Sequence, residues 1–393
     1  MASPASAASG GASAAQKALM ANAQLRNLLL SSAPRMRKNL GSTTGALGQT
    51  TRIQLFNVGL VTGCQIYVSC PVTIGTATAV PSARAPYNLI SRVRLTDYDG
   101  TDRINWSGFQ LFVINSVRMR TPYGYNNGGP IVNGSGSSIS GGIVTNPSVP
   151  TAVGNGTIGF LLDIPLAYDP EADLRGTVMA QTAVGNMYVS IDWASSLYTY
   201  QNVDAVYSGA ATTTVVLNGV AGPSVNLWQE YLMPQAVNGQ FPLPTIDLQT
   251  VYELAGNLRD NANIAQNVAK LLNYPNVRSV IGAYFVFLNP PTGSNTNMLA
   301  TDLSELDLIA NGNNYLRQDS QLSQQIRQRN YLSGDIAPGT YFYLHRTKPI
   351  ETALFGNIQA SIIPSTVNAG ALWEYGYESF YTKGSALPGI SQN

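Results

Sequence analysis

One histidine and two cysteines are all the imidazole and thiol that 393 residues hold. His345, Cys64 and Cys70 form no CxxC pair, HExxH motif or Cys/His cluster, which argues against a zinc site and zinc-dependent hydrolysis. No metal and no other cofactor is expected. His345 sits in Tyr343-Leu344-His345-Arg346 with no serine or aspartate partner that spacing can name, and reads as a structural residue. Cys64 and Cys70 are six positions apart, on one face of a strand and about 20 Å from each other if it runs straight. That is too far for a disulfide, so both read as small buried hydrophobes of a reducing compartment. Glycine-rich phosphate loops of the P-loop and dinucleotide types are missing. The run Asp97-Tyr98-Asp99-Gly100-Thr101-Asp102 imitates the start of a calcium loop, but its twelfth position is Gly108 in place of a glutamate and its glycine comes fourth, not sixth. It reads as a turn that ends a strand, and no catalytic residue is expected anywhere. Charge is scarce too, at 11% of residues against about 25% in an average soluble protein. No apolar run reaches the length of about 18 that a spanning helix needs.

What is present is polar, aromatic and unevenly charged. The chain has 21 Tyr, 10 Phe and 4 Trp, an aromatic area that must be buried somewhere. A surface with so little charge suits a protein that packs against copies of itself. The first acidic residue is Asp97, and nine basic residues precede it: Lys17, Arg26, Arg35, Arg37, Lys38, Arg52, Arg84, Arg92 and Arg94. The two ends of the chain are therefore expected to face different partners.

Residues 1–16 are nearly all Ala, Ser and Gly, and nothing in them calls for burial. Helical spacing follows, with Leu19, Ala23, Leu25, Leu28, Leu29 and Leu30 on an apolar stripe and Lys17, Asn22, Arg26 and Asn27 largely opposite. Pro34 ends it, and Arg35, Arg37 and Lys38 form a basic knot. The longest apolar run is too short for a secretory signal, and the basic cluster follows it. Three readings remain: a transit peptide, a helix packed on its own domain, or contact with an anionic membrane or nucleic acid. For membrane contact the candidate residues are Lys17, Leu25, Arg26, Leu28, Leu29, Arg35, Arg37 and Lys38.

From Thr51 the period becomes strand-like. Strands are expected at 52–61, 63–74, 89–95, 157–164, 186–193, 212–218 and 225–232 and, beyond the Phe241-Pro242-Leu243-Pro244 hinge, at 245–254, 278–288, 340–346 and 358–363. Helices are expected at 106–119, from Asp169-Pro170-Glu171 onward, and at 265–272, 303–310 and 320–328. Residues 121–156 carry no charge and nine glycines, which reads as a displayed loop or a long hairpin. The halves echo each other: Gly156-Thr157 opens a strand closed by Pro165-Leu166, and Gly339-Thr340 opens one closed by Pro349-Ile350, 183 residues on. Asn186-Met187-Tyr188-Val189 and Asn357-Ile358-Gln359-Ala360 then follow in turn. This predicts two tandem sandwiches, with Leu55, Ile66, Val93, Phe160, Val189 and Trp228 inside the first and Phe285, Phe287, Phe342 and Ile358 inside the second.

An ordered set of short motifs runs from about residue 50 to 381: Asn88-Leu89-Ile90-Ser91-Arg92-Val93, Tyr98-Asp99, Ser107-Gly108-Phe109, Phe112-Val113, Pro165-Leu166-Ala167-Tyr168, Asp173-Leu174, Leu243-Pro244-Thr245-Ile246-Asp247-Leu248, Tyr252, Lys348-Pro349-Ile350, Gly356-Asn357, Thr366-Val367-Asn368 and Gly376-Tyr377-Glu378. The set resembles the major capsid protein of tectiviruses, the membrane-containing icosahedral bacteriophages. The resemblance implies an all-β chain of two tandem eight-stranded jelly rolls with short helical inserts and an N-terminal helical arm. The expected division is a basic arm over 1–48, a first jelly roll over 49–240 with the Gly-rich loop 121–156, a second over 241–384 and a tail over 385–393. It implies a homotrimer of pseudo-hexagonal outline in a capsid lattice, an arm on an internal lipid membrane, penton and minor capsid proteins as neighbours, and no sequence-specific nucleic-acid binding. The expected location is the virion, with assembly in the host cytoplasm. A secreted carbohydrate-binding or glycan-cleaving sandwich is the rival reading; it needs a signal segment and a carboxylate pair that the sequence does not display.

Overall fold

The structure is a computed structural model and describes residues 13–382 except 77–78, 83, 121–147, 182, 199–204, 209–212, 220–221, 237–240, 261–263, 290–301, 312–313, 318, 334–338 and 356. Most of the expected Gly-rich loop, the first twelve residues and the expected tail lie outside the described residues.

Eight principal strands build the first half, β1 (Arg35–Thr44), β2 (Thr50–Gln54), β3 (Leu60–Ile74), β4 (Ile90–Thr96), β5 (Asp102–Trp106), β6 (Gly154–Pro165), β7 (Tyr188–Trp193) and β8 (Ser224–Leu232), beside the short strands Val80–Pro81, Val178–Met179, Tyr207–Ser208 and Val215–Leu217 among the described residues. They pair in the order β1-β8-β3-β6 on one sheet and β2-β7-β4-β5 on the other. Eight more principal strands build the second, β9 (Thr250–Asp260), β10 (Lys270–Asn273), β11 (Ser279–Leu288), β12 (Leu303–Ala310), β13 (Asn314–Arg317), β14 (Thr340–Leu344), β15 (Ile358–Pro364) and β16 (Leu372–Thr382), beside the short strand Ile350–Glu351 among the described residues. Their order is β9-β16-β11-β14 and β10-β15-β12-β13, the first order with eight added to every number. Both halves are therefore jelly rolls. The sequence echo falls on equivalent strands, β6 with β14 and β7 with β15.

The rolls are joined through the sheet. Strand β9 lies parallel to β5, with Leu254 beside Ile104 and Ala255 beside Asn105, so β2-β7-β4-β5 of the first roll runs on into β9-β16-β11-β14 of the second. The first roll also packs on the outer face of that second-roll sheet, which is thereby buried on both faces. Strand β11 (Ser-Val-Ile-Gly-Ala-Tyr-Phe-Val-Phe-Leu) shows the result: a continuous apolar run, every residue after the first buried. Phe285 and Phe287 face the second core, while Tyr284, Val286 and Leu288 join the first. By contrast β3, buried on one face over most of its length, alternates from Gln65 to Ile74.

The seam is tight where Trp106, at the end of β5, lies over two glycines. A β-carbon at Gly256 of β9 would stand 2.5 Å from the Trp106 ring nitrogen, and one at Gly376 of β16 would stand 3.0 Å from three atoms of the ring. The Tyr284 ring meets the indole edge-on with centroids 5.4 Å apart.

Among the described residues four α-helices decorate the rolls: α1 (Ala14–Ser32), α2 (Gly108–Met119), α3 (Thr245–Gln249) and α4 (Gln321–Leu332). Several sequence expectations are corrected. Arg35–Thr44 is the first strand of the first roll, so the arm ends well before residue 48. Residues 303–310 are strand β12; a bulge between Leu303 and Glu305 shifts the strand's parity, and the leucines at 303 and 306 mimic helical spacing. The expected helix at 265–272 is interrupted by Asn267 at φ 56° and gives way to β10. At 169–173 there is a turn: the Asp169 and Asp173 carboxylates accept hydrogen bonds from the backbone two residues on, drawing the chain from a helical path. Residues 245–249 open the expected strand 245–254 as the short helix α3. Strand β16, with two glutamates and a glycine among its aromatics, gave no strand signal. Trp228 faces outward, where Arg37 lies over it at 5.1 Å, and Leu227 takes the inner place. Phe342 joins the first core across the seam. The other inner residues named from sequence are buried as expected. Cys64 and Cys70 are buried in the first core, and burial pushes the Cys70 thiol up to about 12.

The glycine notch yields a stability expectation. Gly256→Ala should destabilise the chain by about 1–3 kcal/mol through overpacking, and Trp106→Phe in the same chain should recover part of the loss. Urea unfolding measures both; an unchanged midpoint for Gly256→Ala would show that the indole and the Gly376 backbone, 2.8 Å from the added carbon, both have room to move.

Candidate assembly surfaces and the buried seam

Polar chemistry concentrates between the rolls. Glu374 and Glu378, four apart on β16 and so on one face of it, are completely buried. Glu378 accepts hydrogen bonds from the phenols of Tyr252 (2.6 Å) and Tyr284 (2.8 Å). Arg346 lies 3.8 Å from the same carboxylate, and donates to the Tyr331 hydroxyl of α4 at 3.2 Å. From the first roll, Arg118 at the end of α2 donates to the Tyr252 oxygen at 3.0 Å and to the carbonyls of Ala167 and Tyr168. Glu374 is held at 2.6 Å by Arg84 of the first roll, itself 2% exposed, and at 2.6 Å by Arg259 of β9. Desolvation, then the Glu378 charge, hold the Tyr252 and Tyr284 phenols well above their ordinary range. They act as donors to a carboxylate. Two facing catalytic carboxylates, which the rival glycan-cleaving reading needs, are not formed here: both glutamates are fully buried and tied to arginines or tyrosines.

At one end of the rolls, Arg35 of β1, Leu232 of β8 and Leu60 of β3 pair in one row, and α1 packs beside them. Ser13 caps α1, in a mutual pair of hydrogen bonds with Gln16. Leu29 and Ala33 bury with Leu60, Leu174 and Leu232 in a small third core. Asn22, placed on the polar side by sequence, is buried: its amide donates to Asp247 at 2.9 Å and its oxygen accepts from the Ile246 backbone at 3.0 Å, holding the start of α3.

The eight arm residues named from sequence do not form one surface. Leu29 is buried and Leu25 half-buried. Arg26 reaches Asp247 at 3.5 Å, Arg35 reaches Glu171 at 3.0 Å, and Arg37 reaches Glu230 at 3.6 Å. Lys38 sits 3.5 Å over the Phe56 ring. Lys17 and Leu28 are exposed, on a face of α1 shared with Met20, Gln24 and Asn27. The early excess of positive charge is thus largely answered by the chain's own later acids: Arg84 meets Glu374 and Arg94 meets Asp192 as well. Sequence reasoning missed the glutamate pair of β16; the signal was two acids at i and i+4 inside Trp-Glu-Tyr-Gly-Tyr-Glu.

Among the described residues no group of three or more His, Cys, Asp or Glu could hold a metal ion, and no helix is long and apolar enough to cross a membrane.

Comparison with known proteins gives one consistent result. The family model "P3 major capsid protein N-terminal" matches residues 3–233, and "P3 major capsid protein C-terminal" matches 249–391. The major capsid protein P3 of Enterobacteria phage PRD1 is 27% identical over 383 residues, 94% of this chain and 93% of that protein. The fold is shared with the crystal structure of the STIV MCP, at TM-score 0.64 and 15% identity over 89% of this chain and 97% of that one. It is shared also with the PBCV-1 virus capsid, at 0.52 and 12% over 88% and 94%.

Because the seam phenols are protonated donors, they set an alkaline limit. In the unfolded chain a tyrosine ionises near pH 10, whereas Tyr252 and Tyr284 are held above that when folded. Their contribution is complete below about pH 10 and is lost as the pH rises toward the folded values. Urea midpoints should fall steeply above pH 10, and the Tyr252→Phe, Tyr284→Phe double variant should be less stable at pH 7 and show a shallower fall. Parallel pH profiles for the two proteins would contradict this account.

Proposed function

The chain belongs to the P3 major capsid protein family, and from that premise we propose that it forms homotrimers of pseudo-hexagonal outline around an internal lipid membrane, with α1 at the membrane side. The family is structural: the chain is a coat protein of the virion capsid and not an enzyme. The observation that carries the finer reading is the repeat of one roll beside the other, since three copies of a two-roll chain present six similar lobes. Assembly in the host cytoplasm, with penton and minor capsid proteins as neighbours, belongs to the same reading, as does a division of the chain into an arm, a first roll and a second roll that meet within residues 234–248.

Support for the membrane side comes from what α1 leaves uncovered. Its outer face carries Lys17, Met20 (62% exposed) and Leu28 (52% exposed), and the helix contains no acid. A basic, partly apolar face of this kind suits the boundary of an anionic bilayer. Arg26, Arg35, Arg37 and Lys38 are held by the rolls, so the contact rests on fewer residues than the basic count implies.

Light scattering on the purified protein should give about three times the 41.9 kDa chain mass; a stable folded monomer at micromolar concentration would refute the trimer. Vesicles containing anionic lipid should capture the protein less well after Lys17→Gln, Met20→Ser and Leu28→Ser, with the trimer mass unchanged. The charge removed is worth about 1 kcal/mol near such a surface, and the wild-type binding should weaken with salt. Capture that ignores both the substitutions and the salt would remove α1 from the membrane.

A further inference from the structure

Between the start of β3, the end of β6 and the last turns of α2, the first roll holds a cavity of about 310 Å³, within the size range of small-molecule sites. A bulge and a helix face build its polar lining. In the ladder of β8 with β3, Glu230 pairs with Gly63 but Tyr231 pairs with Val61, so Thr62 is an extra residue. Such a bulge re-aims a side chain out of the alternation of the sheet. The Thr62 carbonyl accepts from the backbone of Leu166 at 3.0 Å and of Ala167 at 2.7 Å, which fixes the bulge against the end of β6. From the other side Asn115, Arg118 and Met119, spaced three and four apart on one face of α2, line the same space.

Thr62 and Asn115 are 8% and 7% exposed. Neither side chain makes a hydrogen bond among the described residues, although polar groups so deeply buried are nearly always bonded. Their polar atoms are not sealed in protein; they open on the cavity.

Two carboxylates complete the lining. Asp163 of β6 accepts from the Gln65 amide at 2.7 Å and forms no ion pair among the described residues. Glu230 of β8 has Arg37 at 3.6 Å. Desolvation holds the Glu230 carboxyl above its ordinary range, the Arg37 charge opposes that shift, and the Asp163 charge adds to it. A further positive group in the cavity would relieve it. Arg118 does not serve, because its guanidinium is spent on the Tyr252 oxygen and on the carbonyls of Ala167 and Tyr168.

The spacing of the acids selects the kind of cation. Asp163 and Glu230 flank β3 from either side, so two strand spacings, about 10 Å, separate their backbones. Acids placed in this way do not close on one metal ion; they suit two positive groups joined by a short chain. Met119, Pro165 and Pro170 offer that chain an apolar wall. Each ammonium brings three donors, enough for a carboxylate and for the oxygen of Thr62 or Asn115.

We propose that this cavity binds a short aliphatic diamine, one ammonium on Asp163 and the other on Glu230, with the Thr62 hydroxyl and the Asn115 side-chain oxygen as further acceptors. The site lies within one chain and does not depend on the trimer or on the membrane.

Calorimetric titration of the purified protein with 1,4-diaminobutane at pH 7 tests it. Saturable binding of one diamine per chain is expected, and 1-aminobutane, which leaves one carboxylate without its partner, should bind at least about tenfold more weakly. Asp163→Asn should reduce the diamine to the affinity of the monoamine. Asn115→Leu should weaken binding by about tenfold while the urea midpoint without diamine stays at or above that of the wild type, an outcome that a merely structural asparagine would not allow. Where Asn115→Leu fails to fold, Thr62→Val, which keeps the shape of the side chain, carries the same comparison. No saturable heat at millimolar diamine, or equal affinities for the diamine and the monoamine, would overturn the proposal. Magnesium chloride binding at the same place and displacing the diamine would overturn it too, and would assign the cavity to a metal ion.

Discussion

Arg118 of the first roll donates to the Tyr252 oxygen of the second, whose own hydroxyl is given to the buried Glu378, and the placement of one roll on the other depends on contacts of this kind across the seam. Only two residue pairs join β5 to β9, and a parallel ladder so short cannot by itself fix the angle between two sandwiches. Side chains supply the rest. Trp106 lies over Gly256 and Gly376, and Arg84 crosses to Glu374. A glycine notch admits one position of one ring, and a buried carboxylate accepts donors only where its lone pairs point.

A seam built from charge is a costly way to join two apolar faces. Desolvating an ion pair consumes most of what its attraction returns, so Arg84 with Glu374 adds little net stability compared with a well-packed apolar pair. Its effect appears in the alternatives it penalises. If the second roll slid along β5 by one residue, Glu374 would lose Arg84 and Tyr252 would lose Arg118, leaving buried charge without its partner across the seam, at a cost of several kcal/mol. The apolar contacts of Tyr284, Val286 and Leu288 draw the rolls together, and the polar ones select the register. A coat protein has reason to hold that register closely, because any error in the angle between rolls is repeated in every copy.

Much of this was legible in the sequence wherever burial was one-sided. Alternation placed β3, β6 and β7, and the Gly-Thr echo at 183 residues paired equivalent strands of the two rolls. The failures share a physical cause. Strand β12 carries a bulge that converts a period of two into a spacing of three, and β16 is buried on both faces with acids among its aromatics, so it has no alternation to read. Strand β1 is exposed along nearly its whole length, which left its arginines looking like part of an arm. Asn22 and Arg26 looked solvated on a helical projection, but Asp247, more than 200 residues away, turned that face inward. No local window contains such a partner.

The charge distribution is where the sequence was most open to misreading, and the structure gives it a different sense. An acid-free first quarter of the chain implies an external anionic partner only if its basic residues remain outside, and five of the nine are matched by acids that follow Asp97 in sequence. The same pairing buries two acids of the second half, Asp247 and Glu374. Among the described residues that face outward there are neutral side chains as well: Tyr67 and Trp228 on one sheet, Leu322 and Ile326 on α4, Met20 and Leu28 on α1. Neutral faces meet without the desolvation cost that charged ones carry. A chain that has few charges and pairs many of them internally is therefore suited to assembling with itself.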